Sequence, residues 1–443
     1  MKNLTITGLC LFLLIGAVHS QELLTLDQAV SIGLTNNYGI IISQNSLQAA
    51  RNNATRGNAG MLPVIALNGG YSKGLSDARV KVYTGNELDI SGAPSDLLTA
   101  GVGLNWQVFD GLNMFITYDK LKRLEEKSEL SAKITIETTV ASIIAGYYEI
   151  VRQGRICQML TEQIDVSKYR TSLAQRRFET GTGSELEYLK SRVELNADLA
   201  NLSNQKTLYE NAKTNLNDLL SRDVQTAFSV NDTIPPASAL DYDTLLNSLK
   251  STNRSLMVAA KNKQISELDV KSAVASQWPT LDYFAAFNYF RNETQSSFIQ
   301  YNRNYGPSMG LTLNMKLFDG LNQKRQYKNA VIAMHSYELG FKQVESSLIT
   351  CLSGIYNQYR NQQEMIGFEQ ENLQLALKNM ELAKQSFAVG SISSLQLREV
   401  QEDLLAARNR LVTAQFVAKL TETELLLLSG RLLAENQASN SAN

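Results

Sequence analysis

A five-residue segment of this chain occurs twice, and its spacing constrains the fold more than any other feature. The segment Phe-Asp-Gly-Leu-Asn at 109–113 recurs at 318–322, an offset of 209 positions. A phenylalanine followed three residues later by glycine recurs at the same offset of 209, as Phe178 with Gly181 and as Phe387 with Gly390. Farther upstream, Asp27, Asn37 and Pro63 match Asp243, Asn253 and Pro279 at an offset of 216. Such internal repetition predicts two tandem halves built from the same elements.

The chain divides into four predicted segments: a signal peptide (1–20), repeat 1 (21–232), repeat 2 (233–433) and a disordered tail (434–443). Lys2, a short apolar stretch and small residues near Ser20 predict a signal peptide that is removed after Ser20. A membrane anchor is the alternative, although the apolar stretch is shorter than the ~20 residues that span a bilayer. The tail is rich in Asn, Ser and Ala, which favours disorder.

The composition disfavours nucleic-acid binding and catalysis. The formal net charge is −1, and 42 basic residues are balanced by 43 acidic ones. Once the signal peptide is removed, His335 is the remaining histidine and Cys157 and Cys351 are the remaining cysteines. The two cysteines do not occupy equivalent repeat positions, which favours free thiols over a disulfide. Because this inventory supplies no Ser-His-Asp triad or His/Cys metal cluster, we predict no enzyme activity, no metal and no cofactor.

Long stretches without proline predict long helices. The chain has 6 prolines, and none falls between Pro94 and Pro235 or after Pro307. One continuous helix is predicted before the strands of each repeat, at about 26–60 and 244–277. The longest predicted helix of each repeat follows the pentapeptide, ends at a tip turn (about 178–186 or 387–395) and is followed by a shorter helix. Leu397, Val400, Leu404, Ala407, Leu411, Ala414 and Ala418 follow heptad spacing, which is typical of paired helices as well as of an ordinary core stripe.

Four segments are predicted to be strands: about 64–73, 99–109, 281–290 and 310–318. Val102, Leu104 and Trp106 alternate with small or polar residues, so one face is apolar. A soluble sheet would show the same alternation, but the segment lengths and the aromatic residues favour membrane strands. Four strands cannot close a membrane barrel, so we predict a trimer with twelve strands. Its lumen would be lined by Asn105, Gln107, Asn314 and Lys316.

The signal peptide, the duplicated helix and strand order, the repeated pentapeptide and the repeated Phe-x-x-Gly turn together resemble the TolC family of bacterial outer-membrane efflux proteins. The resemblance implies a mixed α+β membrane protein in the outer membrane, extending into the periplasm. A homotrimer would form a twelve-stranded β-barrel continued by a periplasmic α-barrel of long helical hairpins. Such a channel is the exit duct of a tripartite efflux pump or type I secretion system, reached from an inner-membrane pump through a periplasmic adaptor. The alternative is a periplasmic coiled-coil adaptor or structural protein.

The resemblance also implies functional positions at the two tip turns. The adaptor-docking positions would be Phe178, Gly181, Leu186, Phe387, Gly390 and Leu395. The pore entrance would be lined by Glu187, Gln396 and Glu399. Gln396 stands where the family pattern has an acidic residue, and Ile392 where it has a basic one. Ordinary hairpin turns and solvated helix carboxylates are the alternative interpretations of these residues.

Overall fold

The computed structural model describes residues 22–81, 83–297 and 299–433 of the chain. The predicted signal peptide and the predicted disordered tail therefore lie outside the described residues. The described chain forms two compact units. The hairpin unit contains residues 22–40, 136–245 and 352–433, and the sheet unit contains Ile41–Thr135 and Leu246–Cys351. Both units take segments from both halves of the chain.

The elements follow the same order in the two halves. The first half contains β1 (Glu22–Leu24), α1 (Leu26–Asn36), α2 (Tyr38–Asn53), β2 (Val64–Lys81), β3 (Glu87–Phe109), α3 (Asn113–Glu179) and α4 (Glu185–Leu219). The second half contains β4 (Phe228–Val230), α5 (Tyr242–Thr252), α6 (Arg254–Ala275), β5 (Thr280–Thr294), β6 (Tyr301–Asn314), α7 (Asn322–Ala388) and α8 (Ser394–Leu428). The predicted mixture of long helices and strands is confirmed, and α3 and α7 have 67 residues each.

The helical segment that precedes the strands is broken at an asparagine in each half, whereas the sequence predicts a continuous helix there. Asn37 separates α1 from α2, and Asn253 separates α5 from α6. The Asn37 side-chain oxygen accepts a hydrogen bond from the N–H of Ile40 at 3.2 Å. The Asn253 oxygen accepts one from Leu256 at 2.9 Å. Because asparagine competes in this way for backbone donors, each break is a helix N-cap inside the predicted helix.

The four long strands form one antiparallel sheet in the order β2-β3-β5-β6. Three of them extend farther than the predicted 64–73, 99–109 and 281–290. The β2–β3 ladder, for example, continues from Val64 opposite Asn105 to Lys81 opposite Glu87. Cross-strand hydrogen bonds therefore keep the backbone extended in segments where apolar and polar residues no longer alternate.

The last strand is displaced from its predicted position at 310–318. β6 ends at Asn314, which pairs with Thr280, the first residue of β5. Pro279 precedes Thr280 and has no backbone N–H, so the β5 ladder cannot continue in that direction. Lys316 consequently lies beyond β6, and the prediction that it belongs to a strand is wrong.

The repeated pentapeptide forms the connection from strand to long helix. Gly111 and Leu112 have positive φ values of 72° and 69°, and Gly320 and Leu321 have 70° and 64°. Two consecutive left-handed residues reverse the chain sharply, and the first is glycine because it carries no Cβ. At Gly111 a Cβ would also lie only 2.4 Å from the carbonyl oxygen of Ala275.

The core of the hairpin unit is formed mainly by α3 residues such as Val140, Ile143 and Tyr147, together with Leu216 and Phe228. β1 pairs in parallel with β4 beside it. By length and hydropathy, α3 is the one helix of the described residues that could cross a membrane, but core helices pass the same test. The burial of its apolar residues here explains that hydropathy.

Candidate functional site

Both helical hairpins of the hairpin unit end in the same kind of turn. α3 is followed by Gly181 with φ +73°, and α7 is followed by Gly390 with φ +82°. The N–H of Gly181 donates to the carbonyl of Phe178 at 3.0 Å, and the N–H of Thr182 donates to that of Arg177 at 2.8 Å. Equivalent bonds surround Gly390. This Schellman pattern needs a left-handed residue, which explains the glycine at both turns.

A serine caps the helix that follows each turn. The Ser184 hydroxyl accepts a hydrogen bond from the N–H of Leu186 at 3.1 Å. The Ser393 hydroxyl accepts one from Gln396 at 3.3 Å, and the Gln396 side chain accepts one from the Ser393 N–H at 2.9 Å. This reciprocal pair is a capping box. The sequence predicts Gln396 at the pore entrance, but its side-chain oxygen is bound to the start of α8.

An open cleft with a volume of about 580 Å³ lies between the two tip turns. It brings together Leu186, Glu187, Gly390 and Leu395, which the sequence analysis selected in separate repeats. Leu186 is 74% exposed and Leu395 is 50% exposed. Arg177, Lys190 and Glu194 add charged groups to its lining. The cleft therefore combines exposed apolar side chains with charges of both signs.

The two predicted phenylalanines have different environments. Phe178 is 39% exposed, and its ring stacks on that of Tyr188 with 6.3 Å between the centroids. Phe387 is fully buried among residues that include Met380 and Leu397. The Arg177 guanidinium lies 5.1 Å from the Phe387 ring and donates to its carbonyl at 3.1 Å. Phe387 therefore holds the two turns together and, within this chain, offers no contact surface.

A buried polar network that the sequence does not predict lies behind the tip turns. Arg170 is fully buried, and its guanidinium lies 2.6 Å from the Glu194 carboxylate and 3.4 Å from the Ser394 carbonyl. Burial lowers the pKa of Arg170, and the Glu194 carboxylate opposes that shift. These contacts join α3 to α4 and α8, and so tie the first hairpin to the second.

Asp198 is the second centre of this network. Its carboxylate accepts two hydrogen bonds from Arg398, at 2.7 and 3.0 Å, and one from the Ser167 hydroxyl at 2.6 Å. Burial acts to lower the pKa of Arg398, but the Asp198 and Glu402 carboxylates outweigh burial and raise it. The sequence carries a signal for Asp198, because Leu195, Leu202, Tyr209 and Leu216 recur every seven residues along α4. Asp198 follows Leu195 by three residues, at a heptad position that is usually apolar.

The predicted pore-entrance residues do not form one cluster. Glu187 lines the cleft between the turns, and Gln396 is held in the capping box. Glu399 is exposed on α8, and among the described residues it has no ion-pair partner. Among the described residues, neither Glu399 nor Glu187 therefore has an ion-pair partner within the chain, whereas the side-chain oxygen of Gln396 is engaged in capping.

The sheet unit has one apolar face and one polar face. The apolar face carries Ile65, Leu67, Val102, Leu104, Trp106, Tyr283, Phe287, Met309, Leu311 and Leu313, which the strand register places on one side. Leu67 is 80% exposed and Met309 is 71% exposed. So large an exposed apolar surface is unusual on a soluble monomer and marks a contact with lipid or protein.

Three predicted lumen residues lie on the polar face. Asn105 pairs with Phe284, Gln107 with Asp282, and Asn314 with Thr280. Asp282, which the sequence analysis missed, accepts a hydrogen bond from the Asn314 amide at 3.5 Å. Lys316, as noted above, lies outside the strands.

Comparison with known proteins decides the family. The family model of the outer membrane efflux proteins matches residues 33–222 and 245–431. The chain belongs to this family. This confirms the predicted localisation, which is the outer membrane with an extension into the periplasm. It also confirms the prediction that the chain is an efflux channel, a class of transport protein.

Individual relatives are distant in sequence but similar in fold. The outer membrane protein TolC of Vibrio cholerae is 21% identical over 396 residues, which cover 87% of this chain and 85% of the relative. The CmeC outer membrane channel of Campylobacter jejuni has a TM-score of 0.76 at 14% identity and covers 94% of this chain and 89% of its own. The outer membrane protein VceC of Vibrio cholerae has a TM-score of 0.75 at 15% identity, with 91% and 96% covered.

Proposed function

We propose that three copies of this chain form the exit duct of a tripartite efflux pump or type I secretion system. Substrates delivered by an inner-membrane transporter would pass through a periplasmic adaptor into the duct and leave the cell. The duct is passive and performs no chemistry, so its energy comes from the transporter. Membership of a channel family favours this function over the alternative of a periplasmic adaptor or structural protein.

The proposal rests on the sheet, which has one apolar face and two edges that are unpaired among the described residues. β2 and β6 are the edge strands, and they run in opposite directions. Unpaired edges are not tolerated in lipid, so β6 of one copy pairs with β2 of the next. Two copies would close a barrel of eight strands, and side chains fill the interior of a barrel of that size. Three copies give the twelve strands of an open lumen, lined on the polar face by Asn105, Gln107, Asp282 and Asn314.

The number of copies is tested by native mass spectrometry of the protein in detergent. The expected assembly contains three chains and separates into monomers on heating. A stable dimer, or a monomer that extracts into buffer without detergent, would exclude the duct. The second result would support the structural or adaptor alternative instead.

We further propose that the cleft between the tip turns is the docking site for the adaptor. The exposed Leu186 and Leu395 supply apolar contact, and Gly390 lets a partner backbone approach closely because nothing but the end of Arg177 lies within 4 Å of its Cβ position. Phe178 and Gly181 lie outside the cleft. Phe178 offers a partly exposed ring on the first turn, and Gly181 provides the left-handed residue of that turn. Phe387 positions the turns from the interior.

Photo-crosslinking in cells tests the docking site. A photoreactive amino acid at Leu395 is expected to form a covalent adduct with a periplasmic adaptor, which mass spectrometry identifies. Val389 is the matched control, because it is 79% exposed on the same turn but does not line the cleft. Equal adducts from both positions would mean that the adaptor contacts the tip without using the cleft.

Glu399 is proposed to form a ring of three carboxylates at the pore entrance. Such a ring favours cations and resists closure through like-charge repulsion. Replacing Glu399 with Gln is expected to reduce cation selectivity, measured as the reversal potential across a salt gradient. Glu371→Gln, which removes the same charge at an exposed position of α7, is the control. Unchanged selectivity in Glu399→Gln would remove this residue from the pore.

A further inference from the structure

The apolar face of the sheet ends in a cluster of arginine and tyrosine side chains near the β5–β6 loop. Arg291 on β5 and Arg303 on β6 are direct cross-strand partners. The register continues the apolar face through them, because Phe287 opposite Pro307 and Tyr289 opposite Tyr305 precede them at two-residue intervals. Like charges directly opposite each other destabilise a sheet unless a counter-charge lies between them.

Tyrosine rings hold these guanidinium groups in place. The Arg303 guanidinium lies 5.6 Å from the ring centre of Tyr289 and 5.4 Å from that of Tyr305. The Arg291 guanidinium lies 5.9 Å from the ring centre of Tyr301. Cation–π contacts of this length leave the N–H groups at the edge of the Arg303 guanidinium free to bind an acceptor. Arg291 already donates to the Glu293 carboxylate through its Nε and one of its terminal nitrogens.

The charges of this cluster do not cancel within the chain. Arg291 pairs with Glu293. The next charged residues on this face, Lys73 of β2 and Asp96 of β3, pair with each other at 3.7 Å. For Arg303, no carboxylate of the described residues lies within the 4.0 Å that defines an ion pair. The cluster therefore retains one positive charge without a partner, on the same face as the exposed apolar side chains.

The position of the cluster along the strands is that of a membrane interface. Arg291 lies eleven residues beyond Thr280, where β5 begins. A strand crosses the hydrocarbon core in about 9–11 residues, and tyrosines are enriched where it emerges. If the apolar face of the sheet meets lipid, an arginine at this position meets the headgroups of the leaflet farther from Thr280 and from α6, which precedes it.

We propose that Arg303, assisted by Arg291, binds the phosphate group of a lipid headgroup in the outer leaflet of the membrane. The planar guanidinium offers two parallel N–H donors to phosphate oxygens, and the anion relieves the repulsion between the two arginines. This inference rests on the proposed function, since it requires the apolar face of the sheet to face lipid.

The test measures retention of a diphosphorylated glycolipid, lipid A, by the detergent-purified assembly in native mass spectrometry. The variant carrying Arg291→Gln and Arg303→Gln is expected to bind it about tenfold more weakly or worse. Arg303→Lys keeps the charge but loses the two-pronged geometry, so a smaller loss is expected. Arg79→Gln is the matched control, because Arg79 is a strand arginine already bound to both oxygens of Asp89, at 2.9 and 2.7 Å.

Two further arms identify the ligand. Lipid A without its phosphates is expected to bind as weakly to the wild type as lipid A binds to the double variant. Inorganic phosphate at the same concentration is expected not to displace the lipid, because the apolar face contributes to lipid binding. Equal binding by wild type and double variant overturns the proposal, as does equal binding of the dephosphorylated lipid. Full displacement by inorganic phosphate would also overturn it, in favour of a free-phosphate site.

The failure of this inference can be told apart from the failure of the proposed function. The arginines lie on the apolar face, away from the polar face, so the double variant is expected to keep the three-chain assembly and the wild-type conductance. A wild type that conducts but does not select phosphorylated lipid overturns the lipid site alone. A wild type that forms no three-chain assembly overturns the duct, and the lipid site with it.

Discussion

At the scale of single residues, Gly183 in the first tip turn is fixed by the space around it. A Cβ there would lie 2.7 Å from the Cβ of Arg177 and 3.1 Å from its carbonyl carbon. Gly183→Ala must therefore shift the turn, and we expect it to lower the free energy of unfolding by about 1–3 kcal/mol. Thermal unfolding in detergent, followed by circular dichroism, measures the change.

Gly354 supplies the matched control for this prediction. It lies inside α7, and its Cβ position has nothing within 4 Å. Gly354→Ala is expected to raise the free energy of unfolding by roughly 0.5–1 kcal/mol, since alanine restricts the unfolded chain and favours a helix. If the two substitutions shift the melting temperature in the same direction, crowding at Gly183 is not what determines the effect.

The buried pair of Asp198 and Arg398 predicts strong coupling. Asp198→Asn leaves the guanidinium without its bidentate partner, so we expect a loss of about 3–5 kcal/mol in the free energy of unfolding. Replacing both residues by Leu removes both charges and is expected to cost less than Asp198→Asn alone. A double variant no more stable than the single one would show that the pair is not the source of the loss.

Glu126 gives the structure a pH dependence. Hydrogen bonds from Lys261 at 2.6 Å and then from Arg123 hold the pKa of Glu126 below its usual value of 4.5. A depressed folded-state pKa contributes stability above pH 4.5 that is lost as the pH falls through the folded-state value. Glu126→Gln is therefore expected to flatten the fall of melting temperature on acidification. A wild-type slope that persists in this variant would assign the acid sensitivity to other carboxylates.

The sequence alone identifies the tip residues whose role depends only on the local backbone conformation. The repeat predicts Gly181 and Gly390 correctly as turn residues, because a left-handed turn requires the same residue in both repeats. The sequence predicts exposed positions for Phe387 and Gln396, whereas Phe387 packs in the interior and Gln396 caps α8. Those roles depend on the second hairpin and on side-chain direction, which spacing along one helix does not specify.

At the scale of elements, period-two alternation located the strands but not their ends. The backbone ladder extends β2 to Lys81 without any apolar pattern, and Pro279 ends the pairing of β6 at Asn314. The helix breaks at Asn37 and Asn253 were missed because one asparagine is a weak local signal. The occurrence of asparagine at equivalent positions of both repeats, Asn37 and Asn253, is a stronger signal of a helix break.

The two faces of β2 predict opposite responses to a charge. Leu67 lies on the apolar face and Asn68, its neighbour, on the polar face. Leu67→Arg is expected to cost about 2–4 kcal/mol if it faces the bilayer, and so to abolish the folded outer-membrane assembly. Asn68→Arg places the same charge on the polar face and is expected to assemble normally.

Heat-modifiable migration on gels measures this pair of variants. Wild type and Asn68→Arg should migrate as assemblies that dissociate on boiling, whereas Leu67→Arg should not. Assembly of both variants would show that the apolar face does not meet lipid. Loss of both would point to the β2 edge itself, independent of which face carries the charge.

At the scale of the whole molecule, the duplication predicted the element order of both halves. The compact units follow a different division, because the strands in the middle of each repeat join one sheet and the helix ends join one bundle. The number of copies cannot be read from one chain, since the proposed barrel would close only through the edges that neighbouring copies supply. The proposed lumen, pore entrance and lipid contact all depend on that closure.

Single-channel recording in a planar bilayer tests the duct most directly. Purified wild-type assemblies are expected to give discrete, long-lived current steps. A closed tip would also block current, so the recording includes Gln396→Ser, which removes the capping box of the second tip turn and is expected to open more readily. Folded three-chain assemblies that insert into the bilayer yet carry no current, in both wild type and Gln396→Ser, would contradict the central claim.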